Sequence, residues 1–184
     1  MERNYKIFLV ASSILSFAIG FYSPFFIIFV QKLGGGDVRQ FGFSVGLMAF
    51  AFSITSYLAG KYSDKFGRKI FLIISGISLS GVIILYTFIK TNIQLNILQI
   101  VYGIINALYT TMETSFLGDV TEKTSRGLNV GKYRAFTGLF EALAIMGGGY
   151  LVGSLGFKSI FYIASGLILI ATLILSRIKT EKLN

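Results

Sequence analysis

Long uncharged runs broken by short polar clusters set the pattern of this chain. No Asp, Glu, Lys or Arg occurs in residues 7–31, 47–59 or 70–89. Crossing the hydrocarbon of a bilayer takes about 20 mostly apolar residues. On that scale the pattern predicts six spans, at 7–30, 41–59, 70–89, 95–117, 135–152 and 159–175. The connections are short, so consecutive spans are expected to pack antiparallel. The chain therefore reads as an all-α membrane protein, a single domain over 1–184 with six transmembrane helices. Its first apolar run is too long for a signal-peptide core, and no small-x-small cleavage site closes it.

The charges fall between the runs, and unevenly. Alternate connections and both ends hold Arg3, Lys6, Lys61, Lys65, Arg68, Lys69, Lys123, Arg126, Lys132, Arg134, Arg177, Lys179 and Lys182. The other side holds Lys32, Arg39, Lys90 and Lys158. This ratio, 13 to 4, predicts both termini in the cytoplasm of a plasma-membrane protein. So strong a bias argues for one topology, not two. The net charge of +9 is thus a membrane signature, not a nucleic-acid one.

Composition agrees, with 54% hydrophobic residues and a mean hydropathy of +0.73. The sequence contains neither Cys nor His. Disulfides, Cys/His metal sites and histidine-based triads are therefore excluded. No nucleophile–base pair or metal cluster points to an enzyme, and no cofactor is expected. Gly127…Gly131-Lys132-Tyr133 has the wrong glycine spacing for a phosphate loop, and Tyr133 stands where Ser or Thr is needed.

Within the spans a few residues depart from the apolar rule. Pro24 removes a backbone bond and crowds the carbonyl of Gly20, so the first span should bend there. Ser12, Ser16, Gly20 and Ser23 share one face and read as a small-residue packing seam. Gly42, Gly46, Ser53 and Gly60 do the same in the second span. In the fourth span Gln99, Tyr102, Asn106, Tyr109 and Glu113 recur every three or four residues, with Thr110 beside them. That stripe faces either another helix, as interhelical hydrogen bonds, or a watery cavity. Glu113 and Glu141 are the two intramembrane acids. Counted from Asp119 and Arg134, they are expected at similar depths, about 9 and 10 Å inside the cytoplasmic ends. Each is either a proton- or cation-binding group or the partner of Arg134 or Arg68 at the rim.

The ten residues Gly60 to Lys69 form a basic polar island, expected to be a tight turn. Gly60, Ser63, Asp64, Lys65, Phe66, Gly67, Arg68 and Lys69 resemble the loop between the second and third helices of the major facilitator superfamily. That pattern is Gly-x-Leu-Ala/Ser-Asp-Arg/Lys-Phe-Gly-Arg-Arg/Lys-Arg/Lys, from which Tyr62 and Ile70 depart. A second match follows the fourth span: Asp119, then Arg126-Gly127, with Glu122 where the family has Pro. The resemblance implies that Asp64, Arg68, Asp119 and Arg126 form a cytoplasmic charge network, with Gly60, Gly67 and Lys69 in the same gate. Gln99, Asn106, Tyr109, Glu113 and Glu141 are the candidates for solute or proton binding. Gln99 replaces an Arg that the superfamily's drug–proton antiporters carry, and no Pro occurs in 147–153. Both departures argue against drug antiport.

The resemblance covers nearly the whole chain but only the N-terminal half of the family's twelve-helix fold, a 3+3 inverted repeat. It implies a half-sized secondary transporter for a small molecule, working by alternating access with proton or cation coupling. Such a half needs a second six-helix half, either a parallel homodimer partner or a separate chain. The competing reading is a membrane protein that does not transport, as an assembly partner or a truncated relic. Lipid and solute are the expected contacts, with no nucleic acid.

Overall fold

The computed structural model describes residues 2–33, 36–122 and 124–178, and for residues 2 and 62–66 the backbone alone. Helix α1 spans Glu2–Tyr22, followed by a 3-10 segment Ser23–Phe25 and α2, Phe26–Lys32. Helices α3, Val38–Phe66, and α4, Arg68–Leu85, follow. A second 3-10 segment, Tyr86–Phe88, leads to α5, Asn92–Asp119, and α6, Arg126–Ser176. No strand occurs among the described residues. Among the described residues five helices are long and apolar enough to cross a membrane.

Local chemistry accounts for the boundaries. The first span breaks at Ser23–Phe25, because Pro24 has no N–H to offer the Gly20 carbonyl. Asp37 caps α3, its carboxylate accepting from the Gln40 backbone N–H at 2.9 Å. The Thr91 hydroxyl caps α5 through Gln94 N–H at 3.3 Å. Such caps are worth about 1 kcal/mol each.

The polar island is not the turn its sequence suggested. Residues 60–66 continue α3, and Arg68 and Lys69 already belong to α4. Helix hydrogen bonding does not stop where the hydrocarbon stops; it needs a breaker. Gly67 supplies it, with φ 81° and ψ 112°, a left-handed conformation that costs glycine little.

The 51-residue α6 contains one non-helical residue, Gly156, at φ 74° and ψ 169°. Its first part, 126–155, runs along α1 in the same direction. Tyr133 stacks on Phe8 at 5.5 Å, and the backbone at Glu141 abuts Gly20. Its second part, 157–176, runs back along α4. Tyr162 meets Thr87, Ser165 meets Ser80, and Thr172 meets Gly76.

The core lies between α1, α4, α5 and both parts of α6. Near the end of the bundle away from the N-terminus Tyr22, Phe26, Phe29, Tyr86, Phe157 and Phe161 form a ring cluster with centroids 5.1 to 6.2 Å apart. Ser80 and Ser165 exchange hydroxyl-to-carbonyl bonds, each 3.0 Å, which close the α4–α6 seam. Helix α3 touches mainly α5: Gly103 lies against the Met48 carbonyl, and Gln40 donates to the Asn96 side chain at 2.8 Å. Just over half of the described side chains of α3 are exposed, and nothing stands within 4 Å of a Cβ placed at Gly42 or Gly46. Gly42 and Gly46 of the seam expected there meet no other helix closely among the described residues.

Candidate functional site

Glu113 sits where α1, α5 and the start of α6 meet. Ser12 donates its hydroxyl to Glu113 Oε1 at 3.1 Å. The Tyr133 hydroxyl also faces this carboxyl, and Arg134 is near enough to attract its charge. Tyr109, 1% exposed, lies beside Ser12 and Glu113. Its hydroxyl is buried and makes no hydrogen bond among the described residues. A buried hydroxyl left unbonded costs about 1–3 kcal/mol, so its place in a polar cage marks a spot suited to water or a small polar ligand.

The rest of the α5 stripe also turns into the bundle. Gln99 accepts from the Tyr86 hydroxyl at 3.2 Å. Tyr102 and Tyr22 share a hydrogen bond of 3.3 Å. Asn106 is half-buried, and its side chain makes no hydrogen bond among the described residues. Interhelical hydrogen bonding therefore holds both ends of the stripe, leaving its middle free.

Glu141 differs in kind. Its side chain is exposed and makes no hydrogen bond or ion pair among the described residues. Its depth also corrects the sequence expectation. Glu113 is level with Ser12, whereas Glu141 is level with Gly20. Eight residues of helix separate those levels, about 12 Å. Counting from Arg134 misplaced Glu141, because Arg134 lies two turns inside α6, which begins at Arg126.

Between α3 and α5 runs an open groove of about 410 Å³, lined by Phe52, Ser56, Thr110, Thr111, Thr114 and Ser115. That volume lies within the range of small-molecule sites. The Ser56 hydroxyl is buried and makes no hydrogen bond among the described residues.

At the end of the bundle nearer the N-terminus Arg68 pairs with Asp119 and donates to the Ser115 carbonyl at 3.1 Å. Arg126 donates to the Gly118 carbonyl at 3.0 Å. Thr121 covers the Leu117 carbonyl at 2.8 Å, and Val120 N–H the Phe116 carbonyl at 3.1 Å. The last carbonyls of α5 would otherwise lack donors, and cations suit that end of the helix dipole. The segment from Asp119 to Arg126 is thus a C-cap as well as a charge cluster. Lys69 donates to the Ile178 carbonyl. The Asp64 side chain lies outside the described residues. Gly60 is inside α3 and Gly67 makes the break.

The structure brings together Arg68 and Asp119 with Arg126 on the adjoining carbonyl, and Tyr109 with Glu113. It keeps Gln99 and Glu141 apart from the Glu113 cage. Sequence reasoning missed Ser12, assigned to a packing seam, and Tyr133, dismissed with a false phosphate loop. Only their position one helix away from Glu113 reveals them. Among the described residues no group of three or more acids could hold a metal ion.

The comparisons with known proteins agree with this architecture. The family model described as Major Facilitator Superfamily matches residues 8–183. The uncharacterized MFS-type transporter YitZ of Bacillus subtilis is 30% identical over 161 residues, covering 88% of this chain and 98% of YitZ. The uncharacterized MFS-type transporter MJ1560 of Methanocaldococcus jannaschii is 27% identical over 175 residues, covering 95% of this chain and 45% of MJ1560. The multidrug resistance protein MdtG of Salmonella typhimurium is 25% identical over 165 residues, covering 87% of this chain and 40% of MdtG. The chain thus spans nearly all of YitZ but less than half of the other two. With the match running almost end to end over a bundle of apolar helices, the chain belongs to the major facilitator superfamily, a family of multi-pass membrane transporters.

Proposed function

We propose that this chain is one bundle of a secondary transporter that moves a small solute by alternating access, coupled to a proton or a cation. In this reading it crosses the membrane six times, with the two parts of α6 on either side of Gly156 as separate passes. The passes form a 3+3 inverted repeat, and a second six-helix bundle completes the unit as a parallel second copy or a separate chain. The charge bias puts both termini in the cytoplasm of the plasma membrane. Glu113 and Glu141 are the coupling and solute groups. Arg68, Asp119 and Arg126, with Asp64, form the cytoplasmic latch.

The observation that carries this reading is the unevenly covered wall. Helices α1 and α4 are packed on several sides, while α3 and residues 126–155 expose most of their length. That exposed wall bears a hydroxyl-lined groove and a free carboxylate. Lipid is a poor partner for either, and a second bundle closing over an aqueous path supplies what both need.

The chain has no cysteine, so single engineered cysteines can be labelled without background. Ser56→Cys reports on the cytoplasmic half of the groove, and Asn96→Cys on the outer end. In vesicles, a membrane-impermeant maleimide should reach the two in opposition when a pH gradient is imposed. Access that stays fixed at both positions under every gradient and solute tested would favour the non-transporting alternative.

A further inference from the structure

The hairpin of α4 and α5 carries a face unlike the exposed wall of α3. Ile70, Ile74, Ile77, Leu85 and Phe88 follow one side of α4 and the turn after it, each at least half exposed. Ile93, Ile97, Ile100 and Ile104 follow one side of α5 and are exposed too. At the end of the bundle away from the N-terminus, between the two helices, lies a groove of about 280 Å³. Its lining is Leu85, Phe88, Ile89, Gln94, Ile97 and Leu98. That volume is just below the range of small-molecule sites, about 300–1,000 Å³. Lys90 stands at its rim, the one Lys or Arg between Lys69 and Lys123. Its backbone N–H donates to the Gln94 side chain at 2.9 Å, which holds residue 90 beside the groove.

We propose that this groove holds an acyl chain of an anionic glycerophospholipid, with the lipid phosphate on Lys90. The proposal needs a bundle that spans a membrane and is independent of whether the bundle transports. Charge selects the headgroup. Lys32, Arg39, Lys90 and Lys158 lie at this end against the single carboxylate of Asp37, which accepts from the Gln40 backbone at the start of α3. No Asp or Glu occurs between Asp64 and Glu113, so the hairpin offers Lys90 no carboxylate of its own. Depth selects a lipid over a free anion. Lys90 lies where the chain turns between two helices long enough to span, which sets its ammonium at headgroup level while its stem lies along apolar surface. The groove beneath is then in the hydrocarbon. The face itself selects an acyl chain over another helix. Helices associate in lipid through small and polar residues, and apart from Gly81 the α4 stripe is bulky and apolar.

The test uses the absence of cysteine. Ile93→Cys, one turn from Ile97 and outside the groove lining, can carry a single bimane fluorophore. The full chain, with whatever partner accompanies it, is placed in nanodiscs, and phosphatidylglycerol with dibrominated acyl chains is titrated against phosphatidylcholine brominated in the same way. Bromine quenches on contact, so the reading is local to the groove. Phosphatidylglycerol should be preferred about fivefold, the worth of one Lys near a membrane surface. Lys90→Gln should bring the ratio close to one, while Lys32→Gln and Lys158→Gln leave it in place. Ile97→Trp, which fills the groove, should lower quenching by both lipids. A wild-type ratio near one, or a preference that survives Lys90→Gln, overturns the proposal. Loss of the preference on adding glycerol phosphate would mean an anion site without an acyl chain and overturns it too. Quenching unchanged by Ile97→Trp, with loss of a bound partner in native mass measurements, would put a protein in the groove and overturns it as well.

Discussion

Helices α3 and α4 are consecutive, joined at a single glycine, and both long and apolar enough to span. Yet 6% of the apolar stretch of α3 is buried within the bundle, against 50% for α4. The difference is not in how greasy they are but in what lies opposite. Gly76 and Ser80 of α4 meet Thr172 and Ser165, while Gly42 and Gly46 of α3 meet nothing. In lipid no hydrophobic force distinguishes the two, so close backbone approach and hydrogen bonds decide which face is inside. Small residues on a membrane helix thus mark a face built for contact without saying whether this chain provides it.

The sharpest way to break that contrast is to enlarge a glycine on each helix. Gly76→Leu puts its side chain into Thr172 and should cost about 1–3 kcal/mol or more, read by unfolding in mixed micelles. A Gly76→Leu variant as stable as wild type would mean the α4–α6 seam is looser than described. A milder probe is Ser80→Ala, which removes one half of the reciprocal serine pair. Interhelical bonds in membranes average about 0.6 kcal/mol and reach about 1.7, and a double-mutant cycle with Ser165→Ala should return a value in that range. At the junction of the two helices, Arg68→Ala frees Asp119 and the Ser115 carbonyl. Both partners are partly exposed, so the coupling should be about 0–1 kcal/mol, and a faster exchange of cysteine accessibility should show more than stability does. The smallest effect on the folded chain is expected from Gly46→Leu, within about 0.5 kcal/mol. Its consequence should appear as a loss of larger assemblies in native mass measurements. If assembly survives that change, α3 is not the covered face.

How much of this was readable beforehand follows from what each residue could signal. Pro24 announced the break in the first span, because backbone chemistry is local, whereas the break at Gly67 was hidden inside an island read as a single turn. The continuation of α3 to Phe66 was not legible, since hydropathy reports the membrane edge and not the helix end. The stripe from Gln99 to Glu113 was visible from its spacing. Its partners were not, because Ser12, Tyr22, Tyr86 and Tyr133 reach it only through the packing of three other helices. The depths of Glu113 and Glu141 were misjudged because they were measured from loop charges. Depth is fixed by which residues of α1 they abut, which no single sequence run records.

Gly156 has a mechanical consequence. One residue joins a stretch lying against α1 to a stretch lying against α4, leaving almost no slack between them. Sliding of 126–155 along its neighbour would tug 157–176 the opposite way along the serine-locked seam. The elbow therefore couples both sides of the bundle, so that they shift in step, and any rocking is carried by the bundle as one piece.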